Sequence, residues 1–141
     1  MAVNLKANND GTSGSIQVNG TDVVTFNTAG LTAGVVNPSF SGSITESIYA
    51  LGTSGTIALN PANGSIQTCA AAGTITFTDS LSSGQAISLR LSNGASYTIN
   101  WPTVTWITYS GNAAPTLTAL DTFVFWKIST TLYGAYVGSG A

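Results

Sequence analysis

From residue 44 onward the chain is cut into short β-prone runs by turn residues, and a sequence interrupted this often has no room for a stable helix. The runs are Ser47 to Leu51, Thr56 to Leu59, Ser65 to Cys69, Thr74 to Thr78, Ala86 to Leu91, Tyr97 to Trp101, Val104 to Tyr109, Thr122 to Ile128 and Leu132 to Val137. Such close spacing is that of sandwiches and barrels. The Ala-rich piece Ala70 to Ala72 is too short to be a helix. The fold class expected is therefore all-β, an antiparallel β-sandwich or a jelly-roll or barrel-like domain. Two turns are well specified: Asn93-Gly94, and the short polar link Ser129-Thr130 between aromatic-rich strands. The second predicts that the last two strands form an antiparallel hairpin.

The N-terminal third is organised differently. Residues 1–14 are rich in Asn, Gly, Ser and Thr without sustained periodicity, and read as an extended arm. Residues 15–43 read as a β-hairpin and linker: alternating residues from Ser15 to Phe26 flank Asn19-Gly20, and Gly30, Gly34, Pro38 and Gly42 follow. Residues 44–141 form the main β-domain, and a length of 141 residues suits one principal core.

Charge narrows the functional classes. Only 6% of residues are charged, with a net charge of -2 and 43% hydrophobic residues. This hydrophobicity at low net charge is the opposite of a disordered chain. Lys6, Arg90 and Lys127 are scattered and form no phosphate-binding cluster, so no nucleic-acid partner is expected. No membrane partner is expected either, because no run reaches the ~18 apolar residues of a span, and the N-terminus lacks a signal-peptide pattern. Synthesis in a cytoplasm, without export by a cleaved signal, is the expectation. A surface made mostly of Ser, Thr, Asn, Gln and Gly is weakly protected against self-association, which marks a protein meant to be assembled.

Catalytic candidates are few. The chain has no histidine, which removes the commonest general base and a frequent zinc ligand. The five carboxylates are dispersed, and an active-site pair would need the fold to unite Asp79 with Asp121. Asn8-Asn9-Asp10-Gly11-Thr12 suggests an oxygen-ligand loop but lacks the later glutamate of a calcium site, so a plain turn is the better reading. Asn19-Gly20-Thr21 and Asn63-Gly64-Ser65 match the glycosylation pattern and also read better as turns. Cys69, among Thr68 and Ala70 to Ala72, reads as a small core residue. No catalytic residue, cofactor or metal is expected.

Aromatic residues offer the remaining candidates. Trp101, Trp106 and Tyr109 cluster around Pro102 and are candidates for a sugar-binding platform. Trp106 shares strand parity with Val104, which favours burial instead. Phe123, Phe125 and Lys127 lie on one face of a strand whose other face carries Val124, Trp126 and Ile128. A strand apolar on both faces is central to a sandwich or part of a subunit interface.

Three segments carry a family resemblance: Ala58-Leu59-Asn60-Pro61-Ala62-Asn63-Gly64-Ser65-Ile66-Gln67-Thr68, Ser92-Asn93-Gly94-Ala95-Ser96-Tyr97-Thr98-Ile99-Asn100-Trp101-Pro102, and Phe125 to Gly138. Together they resemble a C-terminal module of structural and tail-fibre-like proteins of marine and cyanobacterial phages, over roughly residues 45–140. The resemblance implies a β-rich, trimeric virion protein and carries over no catalytic residue. One placement is a capsid decoration, or cement, protein on the outside of the head, touching the major capsid protein, with Val3, Leu5 and Lys6 of the arm as a clamp. The alternative is a tail fibre or receptor-binding tip that contacts host-surface glycans through Trp101, Trp106, Tyr109 or Trp126. A third reading is a non-viral lectin-like module.

Overall fold

The structure, a computed structural model, describes residues 3–7, 13–18, 21–27, 30–33, 45–107 and 111–140. It divides into two compact units, Met1–Ile44 and Thr45–Ala141. All regular elements among the described residues are strands, apart from two single 3-10 turns at Pro61–Asn63 and Gly94–Ser96. The chain is all-β.

Unit 1 holds four antiparallel strands in sequential order: β1 (Val3–Ala7), β2 (Ser13–Val18), β3 (Thr21–Asn27) and β4 (Gly30–Ala33). Val18 lies opposite Thr21, so β2 and β3 are joined across Asn19-Gly20, a pair outside the described residues. Two expectations change here. Part of the stretch read as an extended arm is strand, because Val3, Leu5 and Ala7 alternate with polar residues and β2 supplies hydrogen-bond partners, with Leu5 opposite Ile16 and Lys6 opposite Ser15. Part of the stretch read as linker is also strand, since β4 pairs with β3. The suggested calcium loop lies outside the described residues.

Unit 2 contains β5 (Ile48–Ala50), β6 (Gly55–Leu59), β7 (Ile66–Ala70), β8 (Ile75–Asp79), β9 (Ala86–Ser92), β10 (Ile99–Asn100), β11 (Thr105–Ile107), β12 (Leu120–Ile128) and β13 (Thr131–Ser139). They form a six-stranded sheet in the order β11-β13-β12-β9-β7-β5 and a three-stranded sheet in the order β10-β8-β6. The expected wholly antiparallel arrangement is corrected. From β5 to β10 the chain alternates between the sheets, so β5, β7 and β9 are mutually parallel and so are β6, β8 and β10. Parallel neighbours need a crossover between them. Here the crossover is a strand of the other sheet, which gives a short coil of roughly 20 residues per turn. The turn at Asn93, in the left-handed region with φ 60, accordingly carries the chain from one sheet to the other. Only β12 and β13 form the predicted hairpin, with Ile128 opposite Thr131; β12 runs antiparallel to β9, and β11 pairs in parallel with β13 at the edge of the sheet.

The two sheets share one core that includes Leu59, Ile75, Phe77, Ile87, Leu89, Phe123 and Phe125. The three-stranded sheet ends at β10, three strands short of its neighbour. Trp101, directly after β10, fills that gap: its ring lies 5.0–5.6 Å from those of Phe77, Trp106, Phe123 and Phe125. Gly134 is needed beneath these rings, because a Cβ there would come within 2.8 Å of Val104 and 3.0 Å of Phe125. Elsewhere, the 3-10 turn that precedes β7 is set by its own polar groups. Asn60 caps it by accepting from the Ala62 amide, and buried Gln67 donates to the carbonyls of Asn60 and Gly64.

Candidate interaction face

Strand pairing places every residue of the six-stranded sheet in a cross-strand row. Ile48 pairs with Ile66, Ile66 with Ser88, Ser88 with Val124, Val124 with Ala135, and Ala135 with Ile107. On every strand but β5, whose three residues are all exposed, these residues alternate with the buried ones, and the register carries the same outward face to Ile48. The result is one row across all six strands in which five of six residues are apolar. Its two ends are open to solvent, with Ile48 68% and Ile107 54% exposed. Ile128 and Val137, on the hairpin, are 59% and 63% exposed.

The rows on either side differ from each other. On one side Ala86, Trp126, Tyr133 and Thr105 are in register, and the Trp126 and Tyr133 rings stack at 5.6 Å with an interplanar angle of 13°. On the other side stand Ala50, Thr68, Arg90, Thr122 and Gly138. Arg90 makes no ion pair among the described residues. The opposite surface of unit 2, on the three-stranded sheet, carries Thr56, Thr76 and Asn100 in one row and Ala58 and Thr78 in the next, all exposed. Asn100 donates to the Thr76 hydroxyl at 3.2 Å.

No protein-family model, curated protein or solved structure matches this chain. Its chemistry must be read from its own residues.

The aromatic candidates separate into two groups. Trp106 is 7% exposed and Trp101 is packed among core rings, so neither offers a face to a sugar. Trp126 is half-buried on the outer face with Tyr133 beside it, and Tyr109 lies outside the described residues. Val3, Leu5 and Lys6 lie on β1, at one edge of the unit 1 sheet.

The two aspartates of unit 2 are committed to structure. Asp79 accepts from Lys127 at 2.6 Å and from the Leu81 amide at 2.8 Å. Asp121, fully buried, accepts from the Thr118 amide at 2.7 Å, the Thr118 hydroxyl at 2.8 Å and the Tyr136 hydroxyl at 3.0 Å. Burial, with help from the Asp121 carboxylate, pushes the Tyr136 phenol above its ordinary pKa. The fold does not unite the two aspartates: Asp121 is the second residue of β12, and the Lys127 that holds Asp79 is six residues, or about 20 Å, further along it. Cys69 is buried, its thiol points to the Gly52 carbonyl, and burial raises its pKa, which keeps it protonated and unreactive. Among the described residues no three His, Cys, Asp or Glu side chains gather as a metal site.

One further feature is a cleft of about 510 Å³ bordered by Asp79, Pro102 and the hydroxyl-bearing Thr103, Thr105, Thr130 and Thr131. Thr105 is the cross-strand neighbour of Tyr133, so this polar cleft borders the aromatic row of the outer face.

The sequence singled out Val124, Trp126 and Ile128 as a second apolar face. It missed Ile48, Ile66, Ala135 and Ile107, which belong to the same surface. The available signal was that each sits in an apolar position opposite to its strand's core residues, as Ile66 does beside Gln67 and Ile107 beside Trp106.

Proposed function

We propose that this chain is a non-enzymatic structural subunit of a virion, placed as a decoration protein on the outer surface of the capsid. The observation that carries the assembly part of this reading is the apolar row running across all six strands of one sheet. Isolated exposed apolar residues are ordinary, whereas a contiguous apolar patch marks a surface that has a partner. The scarcity of charge, 6% of residues, works in the same direction, since little repulsion opposes association. The assignment to a virion rests on the resemblance of residues 45–140 to phage structural modules. The partners are other copies of the chain and the major capsid protein. Because β1 ends the strand order of the unit 1 sheet, attachment through unit 1 would use that edge, a mode in which a partner strand adds to the sheet by backbone hydrogen bonds.

A second placement, at a tail fibre or its tip, is favoured by one observation. The stacked Trp126 and Tyr133 beside the threonine-lined cleft combine an aromatic surface with several hydroxyls, the elements that hold a glycan. Gold-labelled antibody on intact particles of the source phage separates the two in the electron microscope. Gold over the heads is the expected result. Gold restricted to the tail would transfer the protein to the fibre, and unlabelled particles would overturn the virion assignment.

A further inference from the structure

We infer that the outer face of the six-stranded sheet is where copies of this chain meet, with the row from Ile48 to Ile107 at the centre of the contact. The inference rests on the reading of the chain as an assembled protein and deepens it by naming the partner as a second copy.

Size is the first argument. Each strand residue covers about 16 Å² of sheet plane, and the six strands together contribute about 36 residues, for a plan area of about 570 Å². Corrugation by Trp126, Tyr133 and the isoleucines raises the accessible area toward the ~800 Å² per partner of a standard stable interface.

Charge is the second. Arg90 is the one charged residue in the three rows, and no carboxylate belongs to them. A neutral apolar centre is complementary to itself, and it offers a strongly charged partner nothing to pair with. In a face-to-face twofold contact the axis lies in the interface plane. Arg90 stands one row away from the centre, so a twofold axis running along the central row sets it against the Ala86, Trp126 and Tyr133 row of the other copy and not against its own equivalent.

Shape is the third. The edge strands β5 and β11 contain three residues each, too short to template a further strand, so the sheet must associate through its face. The other outer surface of unit 2, with Thr56, Thr76, Thr78 and Asn100, is suited to water.

The test is sedimentation velocity on the full chain from about 1 to 100 μM, the range in which a standard interface is populated. Three variants accompany it: Val124→Lys at the centre of the row, Ile107→Lys at its exposed end, and Thr76→Lys on the opposite face. The wild type and Thr76→Lys should associate alike. Val124→Lys should weaken association at least ~100-fold by burying an unpaired charge. Ile107→Lys, at a position already open to solvent, folds normally and should weaken association in the same direction, so the inference is still decided if Val124→Lys fails to fold. A wild type that stays monomeric, or association that survives both lysines on the row, overturns the inference. Self-association by this face together with unlabelled particles would overturn the virion reading alone. Gold on the heads with a monomeric, row-independent chain would overturn this inference alone.

Discussion

The two outer surfaces of unit 2 cover the same core and present opposite chemistry. On the three-stranded sheet, strand alternation is strict: Ile57, Ile75 and Phe77 point inward and Thr56, Thr76 and Thr78 point outward. On the six-stranded sheet the alternation of burial is equally regular along β12, yet Val124, Trp126 and Ile128 take the places where threonines would be expected. Folding the single chain requires only the inner residues, so the fold accounts for one surface and leaves the apolar one without a purpose. An apolar surface that the fold itself does not require is the physical basis for expecting a partner.

The largest way to break this comparison is to remove one tryptophan from each side. Trp101 lies between the sheets against four aromatic rings, and Trp101→Ala should cost about 3–5 kcal/mol of stability. Trp126→Ala removes the stack with Tyr133 on the outer face and should cost about 0.5–1.5 kcal/mol in the unassembled chain. Urea unfolding at low protein concentration, where association does not contribute, measures both. Equal losses would mean that the outer aromatics are part of the chain's own core, and the contrast between the surfaces would fail.

A smaller test concerns the polar group buried beneath the apolar face. In Asp121→Asn an amide NH₂ replaces one of two acceptor oxygens, each of which receives a hydrogen bond from Thr118, and one of them another from Tyr136. A donor then opposes a donor in the interior, which should cost about 1–3 kcal/mol and loosen the Thr118 loop without changing self-association. If association fell while stability held, the apolar row would depend on the inner network and the two sides of the sheet could not be considered separately.

The nine strands of unit 2 were legible because alternation and turn residues act locally, and each predicted run overlaps its strand, with ends that differ by no more than two residues. Strand partners were not legible. Ile66 reads the same whether its neighbour is Ile48 in a parallel coil or a residue across a hairpin, and the short connections of the coil resemble hairpin loops. The row therefore stayed hidden, since it exists only once Ile48, Ile66, Val124, Ala135 and Ile107 are in register. Trp106 was placed inward by its parity with Val104, and both are buried. Trp101 had no such signal: it follows the two-residue strand β10, and only the missing end of the three-stranded sheet explains why an indole fills that place. In unit 1, the composition of residues 1–14 masked the alternation of Val3, Leu5 and Ala7, whose meaning depends on β2.

The smallest expected effect sharpens the comparison from the polar side. Asn100→Ala deletes the hydrogen bond to Thr76, but both residues are exposed and water replaces what is lost. Stability should change by less than about 0.5 kcal/mol and the sedimentation profile should not change at all. The same small substitution thus asks whether the threonine surface is merely hydrated. A shift toward monomer in Asn100→Ala, with the fold intact by circular dichroism, would show that the polar rows hold the copies together. The apolar row would then need another explanation, because two separate surfaces of unit 2 cannot both be the one that water is meant to cover.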